Sequence, residues 1–130
     1  MKKPKWVNEA IVQLIHRRQL AEHGGIEGVR ELGLLESSLN RPKDAWHYQS
    51  PKPDFASLAA AYAYGIAQNH PFIDGNKRTA FVVCRLFLKL NEVELVASQT
   101  NKYDIFLKLA AGQLVEAELA EWIRNHIVKA

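Results

Sequence analysis

Residues 70–80, HPFIDGNKRTA, place a titratable base, a carboxylate, a glycine, an amide and two cations within nine positions, directly ahead of a strongly apolar run. Such a run reads as a buried helix with chemistry at its mouth. Asp74 is a good helix cap, Gly75 lets the backbone approach a ligand closely, and the free N–H groups of the following helix point at any anion placed there. Phosphate is the ligand that this arrangement favours.

Phosphoryl transfer needs a base for the attacking hydroxyl, a metal bridging the phosphates, and positive charge where negative charge accumulates. His70 is the one side chain of the loop whose ordinary pKa is near neutrality, which suits a general base for a serine or threonine hydroxyl. Asp74 offers the hard oxygen that Mg²⁺ prefers; a single carboxylate with substrate phosphates and waters is a common way to hold that ion. Gly75 and Asn76 open a backbone nest, and Lys77 and Arg78 clamp phosphate oxygens, arginine as a planar fork and lysine as a point charge. A structural role competes at each place. Phe72 reads as a hydrophobic anchor for the loop, Asp74 can serve as a cap alone, and His70 can be a satisfied helix-end histidine. Thr79 packs or bonds to the preceding turn.

The elements that must position this loop follow from periodicity and stop signals. Asn8 caps a first helix in which Ile11, Leu14 and Ile15 recur at helical spacing, and Gly24 with Gly25 stops it. His16 and His23 share that helix; a metal pair is conceivable, but without a third ligand solvent or loop contacts are the better reading. Leu34, Leu35 and Leu39 mark a short helix ending before Pro42. Residues 41–54 then form a long connection with Pro42, Pro51 and Pro53 among Trp46, His47 and Tyr48, and Trp46 tucks into the core. Asp54 caps a third helix in which Ala56, Ala59, Ala60, Ala63 and Ala67 let a neighbour approach closely; Tyr62 and Tyr64 pack. Pro71 forces its end.

Residues 76–90 read as a central helix, apolar nearly all round except for Arg78, Arg85 and Lys89, which fall within about 40° of one another at ~100° per residue. Asn91 is a left-handed stop, and residues 93–96 alternate like an edge strand or extended connector. A helix from Ser98 or Thr100 through Ala111 turns Ile105, Phe106 and Leu109 inward and ends at Gly112. A last one spans 116–128 on Leu119, Trp122 and Ile123. The expected fold is all-α: one domain over residues 1–130, a bundle around the buried helix that follows the HPFIDGNKR loop.

Composition narrows the class. The 130 residues are 48% hydrophobic and 24% charged, as in soluble globular proteins. The longest apolar stretch, 80–90, is broken by Arg85 and Lys89 and is short of the roughly 20 residues that a bilayer needs. No membrane partner and a cytoplasmic location are expected, since the basic start leads into an amphipathic pattern and not a signal-peptide core. Cys84 is the only cysteine and sits among apolar residues, which excludes an internal disulfide and gives it no catalytic role. A net charge of +3 spread along the chain gives no reason to expect direct DNA binding.

The run at 70–80 resembles the signature H-x-F-x-[DE]-[GA]-N-[GK]-R of the Fic/Doc superfamily, in its Doc (death-on-curing) form, NKRTA. The similarity extends through HGGIEGVRELGLLESSLNRP and FASLAAAYAYGIAQNHPF, about the middle two-thirds of the chain. Fic-type adenylyltransferases carry a glycine where this chain has Lys77, and a second arginine where it has Phe81. The glycine leaves room for the nucleotide's phosphates and the arginine holds them, so that AMP is transferred. With Lys77 and Phe81, the resemblance implies that ATP with Mg²⁺ binds the other way round and gives its γ-phosphate to a Ser/Thr hydroxyl, as in Doc-type toxins of type II toxin–antitoxin systems. It further implies elongation factor Tu as the target, arrest of translation, and a Phd-like antitoxin whose C-terminal segment folds into a groove. For 41–54, read as an irregular loop, the resemblance offers a flap that positions the target as the alternative. The inhibitory pattern S/T-x-x-x-E-[GN] of some Fic proteins does not occur. An adenylyltransferase and a non-catalytic, antitoxin-binding module are the alternatives.

Overall fold

The computed structural model describes residues 2–130. Six helices and two short strands follow one another among them: α1 Glu9–His23, α2 Leu32–Tyr48, α3 Phe55–Asn69, α4 Asn76–Leu90, β1 Val93–Leu95, α5 Gln99–Ala110, α6 Glu116–Arg124 and β2 Ile127–Lys129. The all-helical expectation holds. Helices α3 and α4 form the centre, with α1 and α5 against α4 and with α2 and α6 against α3. The alanine stripe of α3 is completely buried, and with Leu58, Tyr62 and Ile66 it makes α3 even more enclosed than α4. The α4 side of this core is Ala80, Val83, Cys84, Phe87 and Leu88. Burial pushes the Cys84 thiol up to about 12, so it stays protonated and inert.

Several local expectations are corrected by packing. The second helix does not stop before Pro42 but runs through it to Tyr48. A proline here forfeits one helical hydrogen bond. Burial of Leu35, Leu39 and Pro42 offsets that loss, as does a close approach to α3 at Gly65, where an added Cβ would lie 3.3 Å from the Ser38 carbonyl oxygen. Ser38 also ties the pair together, since its Oγ donates to the Leu34 carbonyl (2.8 Å) and accepts from Asn69 Nδ2 (3.0 Å). The irregular connection therefore shrinks from 41–54 to 49–54, and the first half of the alternative flap is helix; Trp46 packs on the core as expected.

In α1 the buried face is Val12, His16 and Leu20, not Ile11 and Leu14, which are exposed while Ile15 packs at the margin. Asn8 caps the helix as read, accepting from the Ile11 N–H at 2.9 Å. Asn91 is not left-handed; Glu92 is, at φ 62°. The Asn91 amide is occupied in bonds to the Lys5 backbone and the Phe87 carbonyl, which tie the N-terminal segment to the end of α4. The last helix stops at Arg124 rather than 128, because residues 127–129 pair antiparallel with β1, Val93 opposite Lys129 and Leu95 opposite Ile127. That pairing supplies partners for backbone groups of both segments.

Asp54 caps α3 through the Ser57 N–H (2.9 Å) and receives the Arg124 fork at 2.8 and 3.1 Å. The hydrogen-bonded Arg124 guanidinium holds its carboxyl down, from 3.8 to about 2. Because the folded value lies below the unfolded one, this contribution is fully present above pH 3.8 and disappears as pH falls through about 2. Asp54→Ala should therefore cost about 1 kcal/mol at neutral pH, the usual value of a lost cap. In urea melts against pH, the gap from wild type should close at the acid end.

Candidate active site

The loop between α3 and α4 begins where α3 ends in His70, at φ 48° and ψ 57°, a left-handed conformation that is uncommon for a residue with a Cβ. Pro71 follows and prevents the helix from continuing, as read from sequence. Phe72 turns back into the core, 1% exposed. His16 of α1 stacks on it, ring centroids 3.8 Å apart and planes within 9°. Phe72 is buried beneath the loop, and His16, expected to meet solvent or loop, is a buried partner of the loop.

Asn76 is buried, and its amide is consumed by the backbone of Phe72: Oδ1 accepts from the Phe72 N–H (3.0 Å) and Nδ2 donates to the Phe72 carbonyl (2.9 Å). Its side chain is thus a clamp on the loop, and only its backbone N–H remains for a phosphate. The second Nδ2 hydrogen faces His70 Nδ1 at 3.3 Å. Nδ1 then accepts, which puts the proton of the neutral ring on Nε2. A base acting through Nε2 must first shift that tautomer, and a bond this long opposes the shift weakly.

Asp74 is not the cap of α4. Gly75 is, at φ 79°, with no side-chain cap bond, so the first N–H groups of α4 face the cleft uncapped. The Asp74 carboxylate instead accepts from the Gly75 N–H (2.9 Å) and from the Ile26 N–H (3.2 Å), while its carbonyl accepts from His16 Nε2 (2.7 Å). Each carboxylate oxygen keeps lone-pair capacity toward solvent. Gly25 must lack a side chain here, since a Cβ would come within 2.9 Å of Asp74 Oδ2.

The connection between α1 and α2 thus wraps the loop from outside. Val29 bridges Phe72, the Ile73 N–H donates to the Gly28 carbonyl (3.1 Å), and the Arg30 N–H donates to the Pro71 carbonyl (2.7 Å). Sequence reasoning gave Arg30 and His16 no part in the site, although the HGGIEGVREL stretch contains Arg30 and pointed at this segment.

His70, Asp74, Gly75, Asn76, Lys77 and Arg78 line one cleft of about 320 Å³. All the polar residues singled out in the loop therefore meet, with Phe72 beneath them. Lys77 and Arg78 are also a wall of a second cleft, about 350 Å³, between α1, α4 and α5, where Tyr103, Phe106 and Phe81 supply aromatic surface. Lys77 Nζ lies 5.2 Å from the Tyr103 ring centre, and Phe81 meets Phe106 edge to face at 5.0 Å. His23 lines this second cleft whereas His16 faces the loop, so the two histidines have different neighbours and no shared site. Among the described residues no group of three or more His, Cys, Asp or Glu gathers to hold a metal. Thr79 packs fully buried, and its Oγ1 has no partner among them.

A family model described as Fic/DOC family matches residues 6–88, which contain every residue of the loop and of its outer wrapping. The chain belongs to the Fic/Doc family. Within it the chain is similar to proteins of the Doc branch, in keeping with its NKRTA run. It is 39% identical to a protein named Toxin Doc from Mycolicibacterium smegmatis over 74 residues, a match that spans 57% of each chain. It is 28% identical to Protein kinase doc of Escherichia phage P1 over 111 residues, 85% of this chain and 86% of that one. It is also 30% identical to Protein adenylyltransferase Fic of Drosophila yakuba over 82% of this chain, which spans only 27% of that protein. No helix among the described residues is long and apolar enough to cross a membrane.

Proposed function

We propose that this Doc-type protein is a toxin that transfers the γ-phosphate of ATP to a serine or threonine hydroxyl of a target protein. The observation that carries the reading is the single cleft in which His70, Asp74, Lys77 and Arg78 surround the uncapped start of α4. His70 takes the proton of the hydroxyl, the hydroxyl oxygen forms a bond to the γ-phosphorus, and the bond from that phosphorus to the β–γ bridging oxygen breaks, leaving ADP. The α4 N–H groups, Lys77 and Arg78 bind the phosphate oxygens as charge builds on them. Asp74 has a carboxylate with free lone pairs, which fits Mg²⁺ held mainly by the nucleotide's own phosphates and water. That ion, when bound, neutralises phosphate charge. The aromatic surface of the adjoining cleft suits stacking of the adenine ring.

Lys77 and Phe81 favour γ- over α-phosphate attack. Where the Fic pattern has a glycine and a second arginine, α4 here has a lysine against Tyr103 and a phenylalanine interlocked with Phe106, which cannot hold a phosphate. The likeness to the Drosophila adenylyltransferase is the observation in favour of the second reading, AMP transfer. Elongation factor Tu as the target and a Phd-like antitoxin as the partner are carried by resemblance to Doc toxins. Lysate incubated with the protein and ATP labelled in the γ position should yield a labelled protein band, and α-labelled ATP should yield none. Label from α alone would overturn the reading in favour of AMP transfer.

A further inference from the structure

The side chain of Arg30 makes two short bonds to the backbone that carries His70. Nε donates to the His70 carbonyl and Nη2 to the Asn69 carbonyl, each at 2.7 Å. We infer that Arg30 is a positioning residue for the reaction: its fork caps the C-terminal end of α3 and fixes His70 in the left-handed conformation from which the imidazole faces the cleft. The inference rests on the reading of His70 as the base.

Three observations support it. First, these carbonyls belong to the last turn of α3, where the helix leaves acceptors without partners and the dipole is negative, so a cation is favoured there. Second, a left-handed histidine is strained, by roughly 1–3 kcal/mol for residues held in sparsely populated backbone regions, and persists only where its surroundings determine it. Pro71 removes one way of relaxing toward helix, and the Arg30 fork holds the carbonyl that would have to rotate. Third, among the described residues Arg30 forms no ion pair, so its guanidinium is not diverted to a carboxylate.

Arg30 is solvent-exposed, and an exposed arginine is ordinarily mobile. Its backbone is not free to leave, however: its own N–H donates to the Pro71 carbonyl, and its neighbour Val29 bridges Phe72. The segment therefore presents the fork from a fixed base. Lysine cannot reproduce it, since a point charge lacks two donors in one plane at the spacing of successive carbonyls.

Arg30→Lys and Arg30→Ala separate this role from general stability. Both should lower kcat for phosphate transfer by about tenfold or more, as expected when a catalytic group is displaced by a fraction of its productive geometry, with KM for ATP within about twofold of wild type. Methylguanidinium should restore part of the kcat of Arg30→Ala and none of that of a His70→Ala control. In NMR spectra the His70 Cα and ring signals should move in both variants, while the signals of Phe72 and the α3 core stay in place. Unchanged kcat would overturn the inference. So would loss of activity accompanied by loss of the Phe72 and core signals, which marks a purely structural role. If the wild type transfers nothing, the reading of His70 as base fails on its own; the NMR comparison still decides the positioning, and unmoved His70 signals would refute it.

Discussion

His70→Ala should lower phosphate transfer by about 10²–10⁴-fold, the usual contribution of a positioned general base. The protein should remain folded. The imidazole is exposed, and among the described residues its hydrogen-bond partner is the long contact from Asn76. Alanine is poorly suited to φ 48°, so some loss of stability is expected from the backbone alone; His70→Asn, which tolerates that region better, separates the two effects. Both variants should be equally inactive, and asparagine should be the more stable. Activity retained in His70→Asn would exclude an imidazole base. In cells, growth arrest on expression of the wild type should be absent for both variants.

Phe72→Ala should have the largest effect on stability, about 3–5 kcal/mol, as for truncation of a fully buried aromatic. Its ring is 1% exposed and stacks on His16. Its backbone holds Asn76 and forms the loop's bridge to Val29. Removing the ring takes away the His16 stack and leaves a cavity beneath the backbone that holds Asn76 and Val29, so transfer should fall even where the protein is still folded. Phe72→Leu should recover much of the stability and less of the activity, because it fills volume without a flat face for His16. Urea unfolding checks the first effect. A change below about 1 kcal/mol would mean that the loop is anchored elsewhere.

Much of this was legible in the sequence because the signals were local. Pro71 after Asn69 and His70 ends a helix by stereochemistry, the alanines of α3 announce a close neighbour, and the loop's polar residues lie so near in sequence that they had to share one site. What was not legible depended on partners far along the chain. Pro42 reads as a stop because proline breaks an isolated helix; burial of Leu35, Leu39 and Pro42 and the approach of Ser38 to Gly65 make the continued helix favourable. Residues 127–129 continue the helical pattern, and their strand identity comes from β1, more than thirty residues away. Asp74 reads as a cap by residue type, yet its carboxylate is drawn to the Ile26 N–H from a segment 48 residues earlier. For His16 the sequence supports solvent or loop contacts but not burial, because the apolar residues Ile11 and Leu14 mark the wrong face; the buried face of α1 carries this polar ring where it stacks on Phe72.

On the proposed reading the nucleotide presents its terminal phosphate to the acceptor hydroxyl. The most direct measurement is the mass of the modified target peptide, isolated from cells or lysate exposed to the wild-type protein and compared with the His70→Ala control. The peptide should carry the increment of one phosphate on a serine or threonine, absent in the control. The increment of an AMP group on that residue would contradict it, and would mean that Lys77 and Phe81 leave the α-phosphate within reach of attack.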